Sequence, residues 1–305
     1  MMAGPGATLP PASGVKSATR CKNIRETRMR KLTAAVLIEL LLIVSILASC
    51  GAAPRARKIG PADYTVGKPQ VTYVSESEAA VVFERDDKKI EGKIVFPEGE
   101  GPYPAVVMVT GLYALYPEYE RKARGFTEQG YAAVLFNFVS NADANSDKVV
   151  KDQDVTGLLR SQVMDLAAVL DSLSEVEKLD TARVFLWGHS YGGLVSAYVA
   201  CRRQDDIRGM MLAEPSLDKA AMPLVPGDES TTVDIYKDLE QCRINTVIFV
   251  GTESGAGEDP HAYEAEAAAM PGGKVIRIEG ADHLFAGEYG DKIVEESLKF
   301  IRSRE

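Results

Sequence analysis

The stretch Phe185–Leu194, FLWGHSYGGL, decides the fold. An apolar, strand-like run ends at Trp187. A helix-like run, YGGLVSAYVACRRQ (191–204), begins four residues later. Between them Gly188-His189-Ser190-Tyr191-Gly192 places a serine in a turn between glycines. Glycine permits a sharp turn without Cβ clashes and lets a helix approach a strand closely. A serine at a strand–turn–helix junction of this type is held up as a nucleophile. The following helix N-terminus favours negative charge beside it.

Working outward, strand-like and helix-like segments alternate. AAVVFER (79–85) and IEGKIVFP (90–97) read as paired strands around a polar turn. YPAVVMVT (103–110) is a continuous apolar run, as in a strand buried on both faces. A helical pattern (116–130), a strand (131–139) and a long amphipathic helix (155–176) follow. IRGMMLAEP (207–215), INTVIFVG (244–251) and GKVIRIEG (273–280) are further apolar runs, and 292–304 is a final helix. This alternation predicts an α/β fold with a mainly parallel central sheet of about eight strands and helices on both faces. Ligands in such sheets bind at the carboxyl ends of the strands. That rule selects Thr110 to Leu112, Ser190, Glu214, Gly251 to Asp259, and Asp282-His283.

A serine hydroxyl needs a base. The chain has three histidines. His189 lies inside the turn and is expected to point away from the Ser190 side chain. His261 opens a helix. His283 lies just beyond the last strand, in the chain order serine, acid, histidine of this architecture. The spacing therefore assigns Ser190 as nucleophile and His283 as base. The oxyanion needs two backbone N–H groups. Tyr191 supplies one and Leu112, in the loop after AVVMV, the other. Tyr113 is a candidate for substrate binding, or equally for aromatic packing at a helix start.

The N-terminal segment reads as separate from the fold. Residues 29–49 carry a basic Arg30-Lys31, an apolar Leu32–Leu47 and a small-residue end, the pattern of a secretory signal. Met29 is a natural start, so residues 1–28 read as an overhang. The end, Leu47-Ala48-Ser49-Cys50, resembles the lipobox of bacterial lipoproteins, which implies lipidation at Cys50. An uncleaved anchor is the alternative. Either places the body outside the cytoplasm on a membrane tether. Residues 51–70 are expected to form a flexible linker, and 71–305 one domain. Residues 1–50 carry net +5, leaving −14 on the rest, which argues against a nucleic-acid partner. Cys201 and Cys242 read as buried free thiols. No metal-ligand spacing is present, so neither metal nor cofactor is expected.

On these residues the chain resembles the α/β-hydrolase superfamily, within it the dienelactone-hydrolase and esterase branch. KIEGKIVFPEGEGPYPAVVMVTG (89–111), WGHSYGG (187–193) and EGADHLF (279–285) carry the likeness. Dienelactone hydrolases use cysteine where this chain has Ser190, which favours ester chemistry. The resemblance implies hydrolysis of a small-molecule ester with no cofactor. After INTVIFVG the family pattern is Gly-x-x-Asp, whereas this chain reads Gly251-Thr252-Glu253-Ser254. The acid that orients His283 therefore has three candidates: first Glu253, then Asp259, then Glu214. The turn FNFVSNADANSD (136–147) has Asn and Asp where relatives carry glycines. Residues 223–242 sit where relatives insert a cap, and their shortness implies a small cap or none. Two alternatives stay open: a peptidase or amidase on the same residues, and a non-catalytic lipoprotein retaining the fold for binding, suggested by the displaced acid.

Overall fold

The computed structural model describes residues 55–59, 62–142, 155–217, 222–223, 230, 232–255 and 262–305. All of these lie in the unit Ala53–Glu305. The signal segment 29–49, Cys50, Asp259 and His261 lie outside the described residues.

The strands are β1 Arg55–Ile59, β2 Ala62–Val66, β3 Gln70–Tyr73, β4 Glu78–Arg85, β5 Lys88–Val95, β6 Tyr103–Val109, β7 Ala132–Phe136, β8 Leu179–His189, β9 Gly209–Ala213, β10 Met222–Pro223, β11 Thr232–Val233, β12 Thr246–Gly251 and β13 Lys274–Ile278. The helices are α1 Glu120–Thr127, α2 Val139–Ala142, α3 Val155–Ser172, α4 Tyr191–Arg202, α5 Ile235–Gln241, α6 Ala262–Ala269 and α7 Glu288–Arg302. One sheet of eleven strands runs β1-β2-β4-β5-β7-β6-β8-β9-β12-β13, with β3 paired to β4. From β7 to β13 every pairing is parallel, and from β1 to the β5–β7 pair every pairing is antiparallel.

The central strands are apolar throughout because both faces are buried. Along β6, Ala105, Val107 and Val109 enter one core, while Val106 and Met108 enter the other. β8 divides likewise, with Leu186 on one side and Phe185 and Trp187 on the other. α3 and α4 cover the first face, and α1 packs with α7 on the second. α7 buries Ile293, Val294, Leu298 and Ile301. Each fully buried side chain of this size contributes roughly 1.5–3 kcal/mol.

The sheet is larger than the eight strands expected, because the linker expectation for 51–70 is wrong in the described part. β1 and β2 pair from Arg55↔Val66 to Ile59↔Ala62, and β2 joins β4 at Val66↔Arg85. Tyr64 anchors this hairpin. It is 3% exposed, and its hydroxyl donates to Asp171 at 2.8 Å. The Gly, Pro and charged residues of this stretch hide a short period-two pattern. In the segment expected to hold a small cap, β10 pairs with β11 and α5 follows. Cys201 and Cys242 are buried and free.

Candidate active site

The topology sets the strand ends in a row. β6, β8, β9, β12 and β13 are successive neighbours. The residues just after them are Thr110-Gly111, Ser190, Glu214, Thr252 and the loop to His283. Backbone bonds continue the sheet past its strands. Ser190 N–H donates to Ala213 O at 2.9 Å, and Glu214 N–H to Phe249 O at 2.8 Å.

Ser190 opens α4 with φ 54° and ψ −124°, in the left-handed half of backbone space. The turn is held by contact on every side. A Cβ at Gly192 would strike the Thr110 and Val109 carbonyls, and one at Gly193 would lie 2.6 Å from Pro215 Cβ. Among the described residues, five non-glycine residues have positive φ: Asp86, Tyr113, Ser190, Glu214 and Phe285. Asp86 makes the β4–β5 turn. The other four lie at the strand-end loops around Ser190 and His283. Such conformations cost of order 1–3 kcal/mol each and persist where the surrounding structure over-determines them.

His283 Nδ1 lies 2.5 Å from Glu214 Oε2. Glu214 Oε1 accepts Gly251 N–H at 2.7 Å, and the Ser254 hydroxyl bonds the same carboxylate. Burial at 1% exposure pushes the Glu214 pKa up, but the bonds from His283, Ser254 and Gly251 outweigh it and hold the carboxyl below its usual range. An ionised carboxylate only accepts, so Nδ1 carries the proton, and in the neutral ring of that tautomer Nε2 holds the lone pair.

Glu253, ranked first from the sequence, is not placed beside His283. It is exposed, and its backbone N–H donates to Ala281 O at 2.9 Å. The reason is local: the chain leaving β12 pairs with the β13 end through Thr252 and Glu253, which turns the Glu253 side chain to solvent. Ser254, at the family's acid position, instead donates to Glu214.

The loop after β6 packs on the serine turn. A Cβ at Gly111 would lie 3.4 Å from Ser190 Cβ. Gly111 N–H donates to the Tyr119 hydroxyl at 3.1 Å, so the next amide, Leu112, is the loop's candidate for an anion. Leu112 is 39% exposed and Leu284, next to His283, is 59% exposed. Tyr113 is half-buried with φ 59°. Tyr191, the first residue of α4, is 5% exposed.

Sequence reasoning missed two supports of this loop and one of the His283 loop. Asn141 Nδ2 donates to Gly111 O at 3.2 Å and to Ala114 O at 2.9 Å. Asn137 Oδ1 accepts Tyr116 N–H at 2.8 Å. These asparagines belong to the turn that lacks glycines, and their signal was polarity inside the apolar run FNFVSNA. The third is Lys122, buried in α1, whose ammonium donates to Leu284 O at 3.2 Å. Burial lowers its pKa.

The model of the alpha/beta hydrolase fold matches residues 104–248. The chain is 26% identical over 137 residues to Esterase EstD of Thermotoga maritima, covering 41% of this chain and 30% of that protein. It spans about a third of the length of the curated relatives it matches. The acetyl xylan esterase from Paenibacillus sp. R4 superposes with TM-score 0.60 at 19% identity, covering 78% of this chain and 89% of the other. A dienelactone hydrolase from Anabaena variabilis gives 0.56 at 18%, covering 78% and 99%. The fold is that of the α/β hydrolases, and the structures it matches include the dienelactone-hydrolase and esterase types.

Proposed function

We propose that this α/β-hydrolase-fold chain is a serine hydrolase that cleaves carboxylic esters through an acyl-enzyme. The observation that carries the reading is the Glu214–His283 pair at 2.5 Å, placed at the strand ends with the strained Ser190 turn. Ser190 Oγ attacks the ester carbonyl carbon while its proton passes to His283 Nε2. Glu214 orients the imidazole and stabilises its charged form without taking the proton. The Leu112 and Tyr191 N–H groups stabilise the oxyanion. Collapse expels the alcohol, which takes the proton from His283. Water, deprotonated by His283, then attacks the acyl carbon, and Ser190 Oγ leaves with the proton returned by His283, releasing the acid.

The exposed Leu112 and Leu284 give the site an apolar rim, which suits an ester with an apolar acyl or alcohol group. The missing acid at position 254 was the ground for a non-catalytic reading, and Glu214 beside His283 supports catalysis instead. The signal-like segment 29–49 supports an extracytoplasmic protein tethered through a lipidated Cys50.

A fluorophosphonate probe on the full chain tests the reading. Wild type should label, and Ser190→Ala and His283→Ala should not. A folded wild type that stays unlabelled would refute it. A p-nitrophenyl ester series of increasing chain length then reads the acyl preference.

A further inference from the structure

His189 is 4% exposed and sits between the two loops that the proposed reaction needs. Its Nε2 lies 2.8 Å from the backbone oxygen of His283. A carbonyl oxygen only accepts, so Nε2 bears the proton. Its Nδ1 lies 2.8 Å from the Tyr119 hydroxyl. Desolvation lowers the His189 pKa to about 4, so the ring is neutral and Nδ1 accepts the Tyr119 proton. The same Tyr119 oxygen accepts Gly111 N–H at 3.1 Å. The result is one directed chain: Gly111 N–H to Tyr119 O–H, Tyr119 O–H to His189 Nδ1, His189 Nε2–H to His283 O.

One end of this chain is the loop that carries Leu112, and the other is the loop that carries His283. The His189 and His283 rings lie 4.8 Å apart at 44°. A neutral ring there adds no positive charge against an imidazolium forming on His283. A water could not substitute easily, because the chain runs through buried groups.

We propose that His189 is a positioning residue: through Tyr119 and its own Nε2–H it ties the oxyanion loop to the loop of the base, so that the two keep one geometry. This rests on the reading of Ser190 and His283 as nucleophile and base. Misplacement of such groups by about 1 Å costs up to ~100-fold in rate.

The test combines turnover with ring NMR on the full chain. His189→Leu, which removes both bonds, should lower kcat about 10- to 100-fold with KM within about twofold. His189→Gln keeps an amide N–H within reach of His283 O and should recover most of that loss. Tyr119→Phe should lower kcat in the wild-type background and add little to His189→Leu, because the chain is already broken. Equal losses in Leu and Gln, or additive losses in the double variant, would overturn the proposal. Nitrogen-15 shifts of His189 should report a protonated Nε2 and a bare Nδ1 at neutral pH, and the opposite tautomer or an imidazolium would also overturn it. The NMR readout needs no turnover. An inert wild type that shows the expected shifts therefore refutes the hydrolase reading and leaves only a structural tie, which also overturns the positioning role.

Discussion

Glu214 reaches the imidazole of His283 across 69 residues of sequence, from the end of one parallel strand to the loop beyond another. β12 lies between β9 and β13 in the sheet, and its end supplies Gly251 N–H and the Ser254 hydroxyl to the same carboxylate. The acid is therefore held by three donors from two loops.

If Glu214 orients His283, Glu214→Gln should lower kcat by about 100- to 10,000-fold with little change in KM, because the amide favours the wrong tautomer. Glu253→Ala should leave kcat within about twofold. Steady-state kinetics on a p-nitrophenyl ester checks both. A large loss in Glu253→Ala with none in Glu214→Gln would return the role to Glu253.

Ser254 gives a second, opposite expectation. Ser254→Asp restores the residue of the family pattern, yet here it sets a second carboxylate against a buried, ionised one. Two carboxylates at one site cannot both ionise cheaply, so one pKa rises strongly. Activity should fall, and the acid side of the pH–rate profile should move to higher pH. Unchanged activity and profile would show that position 254 does not touch the acid.

The positions of these residues were legible in unequal measure. The Ser190 turn and His283 could be read because each is set by local chain: a glycine-flanked turn after one strand, a loop after the last. The parallel core was legible because double-sided burial leaves uninterrupted Val, Ile and Leu runs. Glu214 was harder, since AEP after β9 looks like any strand end, and its role depends on β12 and β13 lying beside it. The hairpin of β1 and β2 was hidden for a similar reason: Tyr64 finds its partner, Asp171, in α3, 107 residues away. Asn141 holds the loop after β6 through contacts that no spacing along the chain announces.

For the membrane tether, Cys50→Ser separates the two readings of the N-terminus. A lipid chain contributes about 0.8 kcal/mol per buried CH₂ to membrane binding. If Cys50 is acylated, the variant should lose its lipid label and its mature N-terminus at residue 50. If segment 29–49 is an uncleaved anchor, the variant should stay in the membrane fraction with no change in mass beyond the Cys-to-Ser exchange itself. Cell fractionation with intact-mass measurement reads both.

The buried His189 also sets a pH dependence of stability. Its folded pKa, about 4, lies below the ordinary value of 6.5 expected on unfolding. Between those values the unfolded chain binds more protons than the folded one, so stability falls as pH falls. The full penalty, reached near pH 4, is about 3 kcal/mol. Glu214 adds its own loss only lower, as pH drops through and below its unfolded value of 4.5, because its folded pKa is depressed. The window from pH 6.5 to 4.5 therefore separates the histidine from Glu214. Denaturant melts across it should show wild-type stability declining, while His189→Gln, with no ring to protonate, declines less. Parallel curves for the two proteins would mean that His189 takes up its proton while folded, and the neutral ring on which the Tyr119–His189–His283 tie depends would be excluded.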